Sequence, residues 1–354
     1  MDVLQGIIEK AKSEPKRIVL CEAQDPRVLE AAVRAKRDAI ANVILVGNPE
    51  QSAGVAREHD LDLSGLTFIN PADSDSRESY AQQLFLLRQK KGMTPEQAAD
   101  AVLQPLCFAS LMLQQGDADG SVSGAVHTTA DVVRSALQIV GAKSSPGSIV
   151  SSFFLMIFEH EHHPTKGGMI FSDCGLVIDP DAQQLSRIAL DSAKSAQALL
   201  GESPRIAMLS FSTLGSAQHE NVTKVQQATN LVRQADPSLL IDGEIQLDAA
   251  IIPAIASRKI SDSQIHGQAN VLIFPDLNAG NIGYKLAERL GGAVAVGPLL
   301  QGLNKPANDL SRGCSADDVY NVIAVTCVQA QQQSAMEQNH AGNRADLSSV
   351  SASQ

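Results

Sequence analysis

Short runs of aliphatic and β-branched residues alternate with helical stretches along almost the whole chain. This alternation is typical of strand–helix–strand units, because two parallel strands need a long crossover, which is usually a helix. The predicted strands are 17–21, 43–46, 66–69, 122–126, 205–211, 239–242, 269–274 and 293–296. The pattern therefore predicts an α/β protein with mainly parallel sheets flanked by helices.

The helices between these strands carry end signals of known type. Asp or Asn before the first turn, Pro at the first position and Gly after the last turn mark where helices begin and end. The helices predicted on this basis are 26–41 behind Asp25, 95–114, and 181–200 between a cap at Asp179 and a stop at Gly201.

One region interrupts the alternation and suggests a change of domain. Two predicted strands, 149–158 and 169–174, are joined by a polar turn and indicate an antiparallel hairpin. We therefore expect two α/β domains with the active-site cleft between them. The predicted division is 1–147 plus 297–330 for domain I and 148–296 for domain II, followed by a polar, disordered tail over 331–354.

Charge and cysteine usage exclude several classes of function. The 354 residues carry a net charge of −11, from 39 acidic and 28 basic side chains, which disfavours nucleic acid and anionic membranes as partners. No apolar run approaches the roughly 20 residues of a membrane-spanning helix. The five cysteines are odd in number and widely spaced, which predicts neither disulfides nor a zinc site and fits a reducing cytoplasm.

Polar loops follow several predicted strands, at the position where open α/β sheets bind ligands. None contains a dinucleotide or Walker motif, and each alone is explained equally well by helix capping and tight turns. Three such loops in one chain favour phosphate binding. The candidate binding side chains on them are Thr129, Ser212, Thr213, Asn281 and Lys285.

A fourth loop has two interpretations that the sequence leaves open. Ser315 and Asp318 have the spacing of a capping box that opens an apolar helix. Alternatively, Arg312 and Asp318 are a cation and a carboxylate that face one cleft, suited to stabilising an oxyanion and accepting a proton. Cys314 stands beside Arg312 near a helix start, where its thiol pKa should fall, but we expect a bystander rather than a nucleophile.

The segment 159–163 contains two glutamates and three histidines but is not expected to hold a metal. It lies in a predicted hairpin turn beside Pro164, without a spacing that would bring the ligands together on one ion. We expect a solvated turn.

Long stretches of the chain resemble the phosphate acetyl/butyryltransferase family, and within it the short, stand-alone phosphate acetyltransferases. These stretches cover most of residues 15–330 and are more specific than a shared fold would produce. They are CEAQDPRVLEAA, VILVGNPE, RQKKGMTPEQA, GAVHTTADVVRSAL, MLSFSTLGSA, IDGEIQLDAA, ANVLIFPDLNAGNIGYKLAERLGGA and GPLLQGLNKPANDLSRGCSADD.

The resemblance implies reversible acetyl transfer, in which acetyl phosphate and coenzyme A (CoA) give acetyl-CoA and phosphate. It implies a cytoplasmic homodimer that uses CoA and acetyl phosphate as substrates, needs no cofactor and has acetate kinase as its pathway neighbour. The family's catalytic residues fall on Ser311, Arg312 and Asp318, and the arginines that bind CoA or phosphate match Arg88, Arg134 and Arg289.

We therefore expect a ternary complex in which Asp318 accepts the proton of the CoA thiol. Arg312 would stabilise the oxyanion, and Ser311 would position the thiol or the acyl phosphate. A free thiol has a pKa of ~8.5 and an Asp carboxyl ~3.9, so Arg312 must also lower the thiol pKa. A phosphate butyryltransferase with a roomier acyl pocket and a non-catalytic acyl-CoA-sensing module stay open as alternatives.

Overall fold

The computed structural model describes residues 3–144 and 147–351, with side chains as far as residue 338, and arranges them around two sheets. The strands are β1 (Lys16–Leu20), β2 (Ala41–Val46), β3 (Thr67–Ile69), β4 (Gly120–Ser123), β5 (Ser151–Phe158), β6 (Gly167–Ser172), β7 (Arg205–Leu209), β8 (Leu240–Ile245), β9 (Val271–Ile273), β10 (Val294–Gln301) and β11 (Ala307–Asp309). The first sheet has the order β11-β4-β1-β2-β3 and the second has the order β10-β5-β6-β9-β7-β8.

The helices connect the strands and cover the sheets. They are α1 (Val3–Ser13), α2 (Pro26–Arg37), α3 (Pro49–Glu58), α4 (Arg77–Arg88), α5 (Pro95–Ala101), α6 (Pro105–Gln115), α7 (Thr129–Ser135), α8 (Ala182–Leu200), α9 (Glu220–Ala235), α10 (Leu247–Ile251), α11 (Pro253–Lys259), α12 (Leu277–Arg289) and α13 (Ala316–Ser351). A 3-10 turn (Gln89–Lys91) and a π-helical turn (Ala136–Val140) extend two of them.

The pairing of the strands confirms the predicted α/β class. All strands of the first sheet run parallel. In the second sheet β6, β9, β7 and β8 are parallel, whereas β5 pairs antiparallel with β6 and with β10. The hairpin expected from the interruption of the alternation is therefore β5–β6.

The two sheets share part of their apolar core. One buried cluster contains Leu20 of β1, Leu155 of β5, Ile188 of α8 and Val325 of α13. Helix α13 contacts α2 and β1 on one side and α8 on the other, so it packs against both layers. The domains are therefore joined by packing as well as by the chain.

Several predicted boundaries differ from the structure for local reasons. The helix predicted over 95–114 is divided by Pro105, which starts α6. The cap of α8 is Asp181, which accepts a hydrogen bond from the Gln184 N–H, and the predicted cap Asp179 instead pairs with Lys224 at 2.7 Å. Strand β10 runs on to Gln301, so the predicted domain boundary after residue 296 falls inside it.

The histidine-rich turn between β5 and β6 is exposed over residues 159–162, as expected for a solvated turn, whereas His163 is buried. The Nε2 atoms of His162 and His163 lie 3.0 and 2.7 Å from the carbonyl oxygen of Gly291, just beyond α12. The other ring nitrogen of His163 accepts the His160 N–H at 3.1 Å. Both nitrogens of His163 are thus engaged in hydrogen bonds, which argues against a metal ligand there.

The tail predicted to be disordered over 331–354 is helical in α13 as far as Ser351, and residues 352–354 lie outside the described residues. The side-chain amide of Gln331 donates to the carbonyls of Lys10, Ala11 and Glu14 at 3.0 to 3.1 Å. These carbonyls lie at the end of α1, where a helix leaves acceptors unsatisfied. The prediction from composition was wrong for residues 331–351, and tertiary hydrogen bonds of Gln331, Gln332 and Gln333 hold the start of this segment.

Among the helices of residues 3–144 and 147–351, none combines the length and apolar character that crossing a membrane requires.

Replacing Gln331 with Ala should lower the free energy of unfolding by about 1 to 3 kcal/mol, because buried carbonyls at the end of α1 lose their donor. Urea unfolding followed by circular dichroism measures this change. The control is Gln338→Ala, at an exposed position of the same helix, which should change stability by less than about 0.5 kcal/mol. Equal effects of the two substitutions would contradict the assigned capping role.

Candidate active site

Three loops meet at one edge of the first sheet. Strands β1, β4 and β11 are parallel neighbours, so their carboxyl ends lie on the same side. The segments that follow them are 21–27, 124–129 and 310–315. The structure therefore brings the predicted site residues Thr129, Ser311 and Arg312 to one edge.

A cavity of about 200 Å³ lies where this edge meets the second domain. Its walls bring together Ser311 and Asp318 of the first domain and Arg289 of α12. The other lining residues are Phe154, Tyr284, Glu288, Ala295, Val296, Gly297, Pro298, Leu310, Gly313, Cys314 and Val322. A larger cavity of about 590 Å³, at the amino ends of β6, β7 and β9, contains none of the predicted site residues.

Asp318 caps helix α13 and also lines the cavity, whereas Arg312 is not among the residues that line it. Its Oδ2 atom accepts hydrogen bonds from the backbone N–H of Ser315 at 2.8 Å and from the Ser315 hydroxyl at 2.9 Å. The Ser315 Oγ atom in turn accepts the Asp318 N–H at 3.1 Å, which confirms the capping box. The Oδ1 atom of Asp318 has no hydrogen-bond partner among the described residues. The cap thus orients the carboxylate and leaves one oxygen available to a ligand.

Arg27 holds the loop that carries Ser311 and Arg312. Its guanidinium pairs with Asp25 at 2.7 Å and donates to the carbonyls of Ala125, Arg312 and Cys314 at 2.8 to 2.9 Å. Sequence analysis missed this residue because the segment was interpreted only as a helix start. An arginine in the first turn of a helix opposes the helix dipole, and that unfavourable placement was the available signal.

Glu22 holds the neighbouring loop by its backbone. Its buried carboxylate accepts the N–H groups of Gly124, Ala125, Val126 and His127 at 2.8 to 3.0 Å. The Nδ1 atom of His127 lies 2.8 Å from the same carboxylate. Burial raises the pKa of Glu22, but the His127 ring and the backbone donors outweigh it and lower that pKa overall. The partnership with Glu22 raises the pKa of His127.

Cys21, Glu22 and His127 place three potential ligand atoms within 4.8 Å of one another. The chemistry of the group favours hydrogen bonding over metal binding. The oxygens of Glu22 already accept N–H donors, and burial raises the pKa of the Cys21 thiol well above its ordinary value. A thiol that keeps its proton is a poor metal ligand.

Asp309 is buried beside these loops without a partner. Its side chain is 1% exposed, and neither carboxyl oxygen makes a hydrogen bond. Burial raises the pKa of Asp309 to about 6, although the nearby Thr129 hydroxyl and Leu310 N–H oppose the shift. A buried carboxylate without a hydrogen-bond partner costs stability when it is ionised, so the proton remains on this group in weakly acidic solution.

The remaining predicted binding residues divide into two groups. Arg134 and Arg289 are 60% and 79% exposed, and the guanidinium of Arg88 has no partner among the described residues. Lys285 is exposed on α12. Arg134 pairs with Asp131 at 2.8 Å and Arg289 with Glu288 at 3.4 Å. All four cations are at least partly exposed.

The second group is engaged in the protein's own hydrogen bonds. Asn281 donates to the carbonyl of Cys174 at 3.1 Å. Ser212 donates to Glu244 at 2.8 Å, and the Thr213 hydroxyl accepts the Gln246 N–H at 3.0 Å. The loop that holds Ser212 and Thr213 follows β7, four strand positions from β10 in the sheet, which is about 19 Å. The structure does not bring these two residues to the cavity.

Cys314 differs from its predicted behaviour. Burial raises the pKa of its thiol, and the favourable field of Arg27 does not compensate. The expected fall in pKa was therefore wrong, because Cys314 itself is buried.

The chain matches the family model described as "Phosphate acetyl/butaryl transferase" over residues 2–327. It is 48% identical to a phosphate acetyltransferase from Acetivibrio thermocellus over 332 residues, which cover 94% of this chain and 99% of the relative. Two solved structures are similar throughout. A phosphotransacetylase from Streptococcus pyogenes has a TM-score of 0.87 at 41% identity, covering 93% of this chain and 98% of that one. A phosphotransacetylase from Staphylococcus aureus has a TM-score of 0.86 at 44% identity, with the same coverage.

Replacing Asp309 with Asn should stabilise the protein more at pH 7.5 than at pH 4. The folded-state pKa of Asp309, about 6, lies above that of an unfolded Asp, ~3.9. The wild type therefore loses stability as the pH rises from about 4 to 6, and the asparagine variant does not. Between pH 4 and pH 7.5, the free energy of unfolding of the variant should therefore rise by about 2 to 3 kcal/mol relative to that of the wild type.

Urea unfolding at both pH values measures this difference, with the exposed Asp317→Asn as control. A difference that is the same at both pH values would show that Asp309 is ionised normally in the folded protein.

Proposed function

The chain belongs to the phosphate acetyl/butyryl transferase family, and we propose that its acetyl transfer between acetyl phosphate and CoA takes place in the interdomain cavity. The reaction class is that of an acyltransferase. One observation carries the location: a hydroxyl from Ser311, a carboxylate from Asp318 and a guanidinium from Arg289 line one cavity of about 200 Å³. Acid–base groups and anion-binding groups in one cleft are what acyl phosphate chemistry needs.

Asp318 acts as the general base in this proposal. Its Oδ1 atom accepts the proton of the CoA thiol, while the hydrogen bonds from Ser315 to Oδ2 hold the carboxylate in place. The thiolate sulfur then attacks the acetyl carbon in a ternary complex, and the carbon–oxygen bond to phosphate breaks. Phosphate leaves with the electron pair of that bond.

Arg312 and Ser311 stabilise the reacting groups. Both are exposed, and the Arg27 bonds to the carbonyls of Arg312 and Cys314 fix the backbone that carries them. A guanidinium held at the reacting centre stabilises the developing oxyanion and favours the thiolate. This offsets the low basicity of an Asp carboxylate.

The anionic parts of the substrates are assigned to the accessible cations. We propose Arg88, Arg134, Arg289 and Lys285 as contacts for the phosphates of CoA and for acetyl phosphate, with Thr129 at the start of α7 as a hydroxyl donor. Asn281, Ser212 and Thr213 stay predictions, because each is engaged within the protein. CoA and acetyl phosphate are substrates in this scheme, which requires no cofactor or metal.

Replacing Asp318 with Asn should reduce kcat about 10² to 10⁴-fold, because general base catalysis contributes a factor of this size. The asparagine oxygen can still accept the Ser315 donors, so the melting temperature should stay close to that of the wild type. CoA-dependent consumption of acetyl phosphate, followed as acetyl-CoA, measures the rate. The control is Asp317→Asn next to it, at an exposed residue that pairs with Arg34 at 2.6 Å.

The same assay distinguishes the alternatives when butyryl phosphate is offered beside acetyl phosphate. Faster turnover of butyryl phosphate would move the assignment to a butyryltransferase. A fully active Asp318→Asn enzyme would reduce Asp318 to a helix cap. Tight CoA binding without turnover would favour the acyl-CoA-sensing module.

We also propose that the protein forms a homodimer through α12. Ile282, Leu286 and Leu290 recur every four residues on this helix, with exposed fractions of 58%, 52% and 82%. An apolar stripe of this kind on a helix surface marks an interaction site, and a second copy of the chain covers it symmetrically.

Replacing Leu286 with Glu should convert the dimer into a monomer, because it places a charge at the centre of the stripe. Size-exclusion chromatography with light scattering measures the mass. The matched control, Leu137→Glu, changes a similarly exposed leucine outside the stripe and should leave the mass unchanged. A wild-type monomer would overturn this proposal and leave the catalytic one intact.

We propose that the enzyme works in the cytoplasm. The five cysteines are unpaired, which suits a reducing cytoplasm. An acetate kinase, which interconverts acetyl phosphate and acetate, is the proposed pathway neighbour.

A further inference from the structure

Two chain segments connect the domains, and they run side by side. The first follows the π-helical turn and leads to β5, and the second joins β10 to β11. They are held together by an antiparallel bridge between Ala142 and Leu303 and by a hydrogen bond from the Lys143 N–H to the Gly302 carbonyl at 2.9 Å. We call these two paired connecting segments the hinge.

A cavity of about 550 Å³ lies against this hinge. Lys143 and Lys305 come from the two connecting segments, and Lys194 comes from α8 of the second domain. The other lining residues are Leu113, Gln114, Val140, Asn304, Gln333, Met336 and Glu337. An adjoining small cavity of about 60 Å³ shares the three lysines.

The charges around the cavity are not balanced. Lys143 is half-buried, and its ammonium has no hydrogen-bond or ion-pair partner among the described residues. Arg187 and Lys194 share one carboxylate, Asp191, at 2.9 and 3.5 Å. The ammonium of Lys305 is 3.7 Å from Glu337. Three lysines that line the two cavities thus face two carboxylates, Asp191 and Glu337, and Asp191 is also paired with Arg187. The protein as a whole carries a net charge of −11.

We propose that this cavity is a binding site for an anion with two or more carboxylate or phosphate groups. Such a ligand would complete the charge balance and would contact both domains at once. Burial and the nearby cations Lys194 and Arg187 lower the pKa of Lys143, and Asp191 and Glu337 oppose the shift only in part. A bound anion would relieve this repulsion.

The lysine cavity and the catalytic cavity lie along the same two strands, β10 and β11. Val296 of β10 and Leu310 after β11 line the catalytic cavity. Leu300 of β10 and Pro306 before β11 line the small cavity that adjoins the lysine cavity. The two sites therefore occupy opposite ends of the same pair of strands.

Isothermal titration calorimetry of the full chain, without CoA or acetyl phosphate, tests the proposal. The probes are citrate and inorganic triphosphate, each titrated at constant ionic strength. We expect saturable binding of at least one probe to one site per chain, and an affinity at least about tenfold weaker in Lys143→Gln and in Lys305→Gln, because each loses a charge-assisted hydrogen bond. Binding of citrate alone identifies a carboxylate ligand, and binding of triphosphate alone identifies a phosphate ligand.

Two controls keep the result specific. Lys12→Gln removes the same charge from α1, outside the cavity, and should bind like the wild type. Arg134→Gln reports on the proposed substrate cleft and should also leave the affinity unchanged. The bound probe should raise the melting temperature of the wild type but not of Lys143→Gln, whose fold is checked by circular dichroism.

Absence of binding to the wild type, unchanged binding in Lys143→Gln, or loss of binding in Arg134→Gln would each overturn the proposal. None of these outcomes depends on catalysis, so the assigned reaction is tested separately.

Discussion

Two charged side chains that follow β1 hold the catalytic edge of the first domain by its backbone. The Glu22 carboxylate gathers four consecutive N–H groups after β4. The Arg27 guanidinium binds carbonyls in that loop and in the loop after β11. Because both bind main-chain atoms, they fix the backbone of the loops independently of which side chains the loops carry. The positions of Ser311, Arg312 and His127 depend on this arrangement.

The same edge contains two carboxyl groups whose placement is not explained by the stability of the folded protein alone. Asp309 is buried without a partner, and Asp318 divides its carboxylate between a helix cap and the cavity. Functional sites commonly retain such groups at a cost in stability. The cost is tolerable here because a continuous apolar core joins both domains around α1, α8 and α13.

Local patterns predicted most of the elements because each strand and helix carries its own signal. Helix α2 begins at Pro26 behind Asp25 as expected. The misses involve contacts that no local pattern contains. The three-residue strand β11 is too short to have a periodicity. Gln331, in the segment predicted to be disordered, binds carbonyls more than 300 positions away in the chain.

The sequence by itself determined the α/β class, the hairpin and the resemblance to a family with a known reaction, because each of these depends on residues that are close together in the chain. It offered the capping box as one of two interpretations, and the structure showed that the box forms. Tertiary structure decided which candidates meet. The fold placed Ser311 and Asp318 with Arg289 around one cavity, and left Ser212 and Thr213 on a loop after β7, four strand positions from β10. The role of Arg27 became visible only from its hydrogen bonds to distant loops. The role of Lys143 became visible only from the other lysines that line its cavity. Convergence of this kind depends on how strands are ordered in a sheet, which local sequence does not encode.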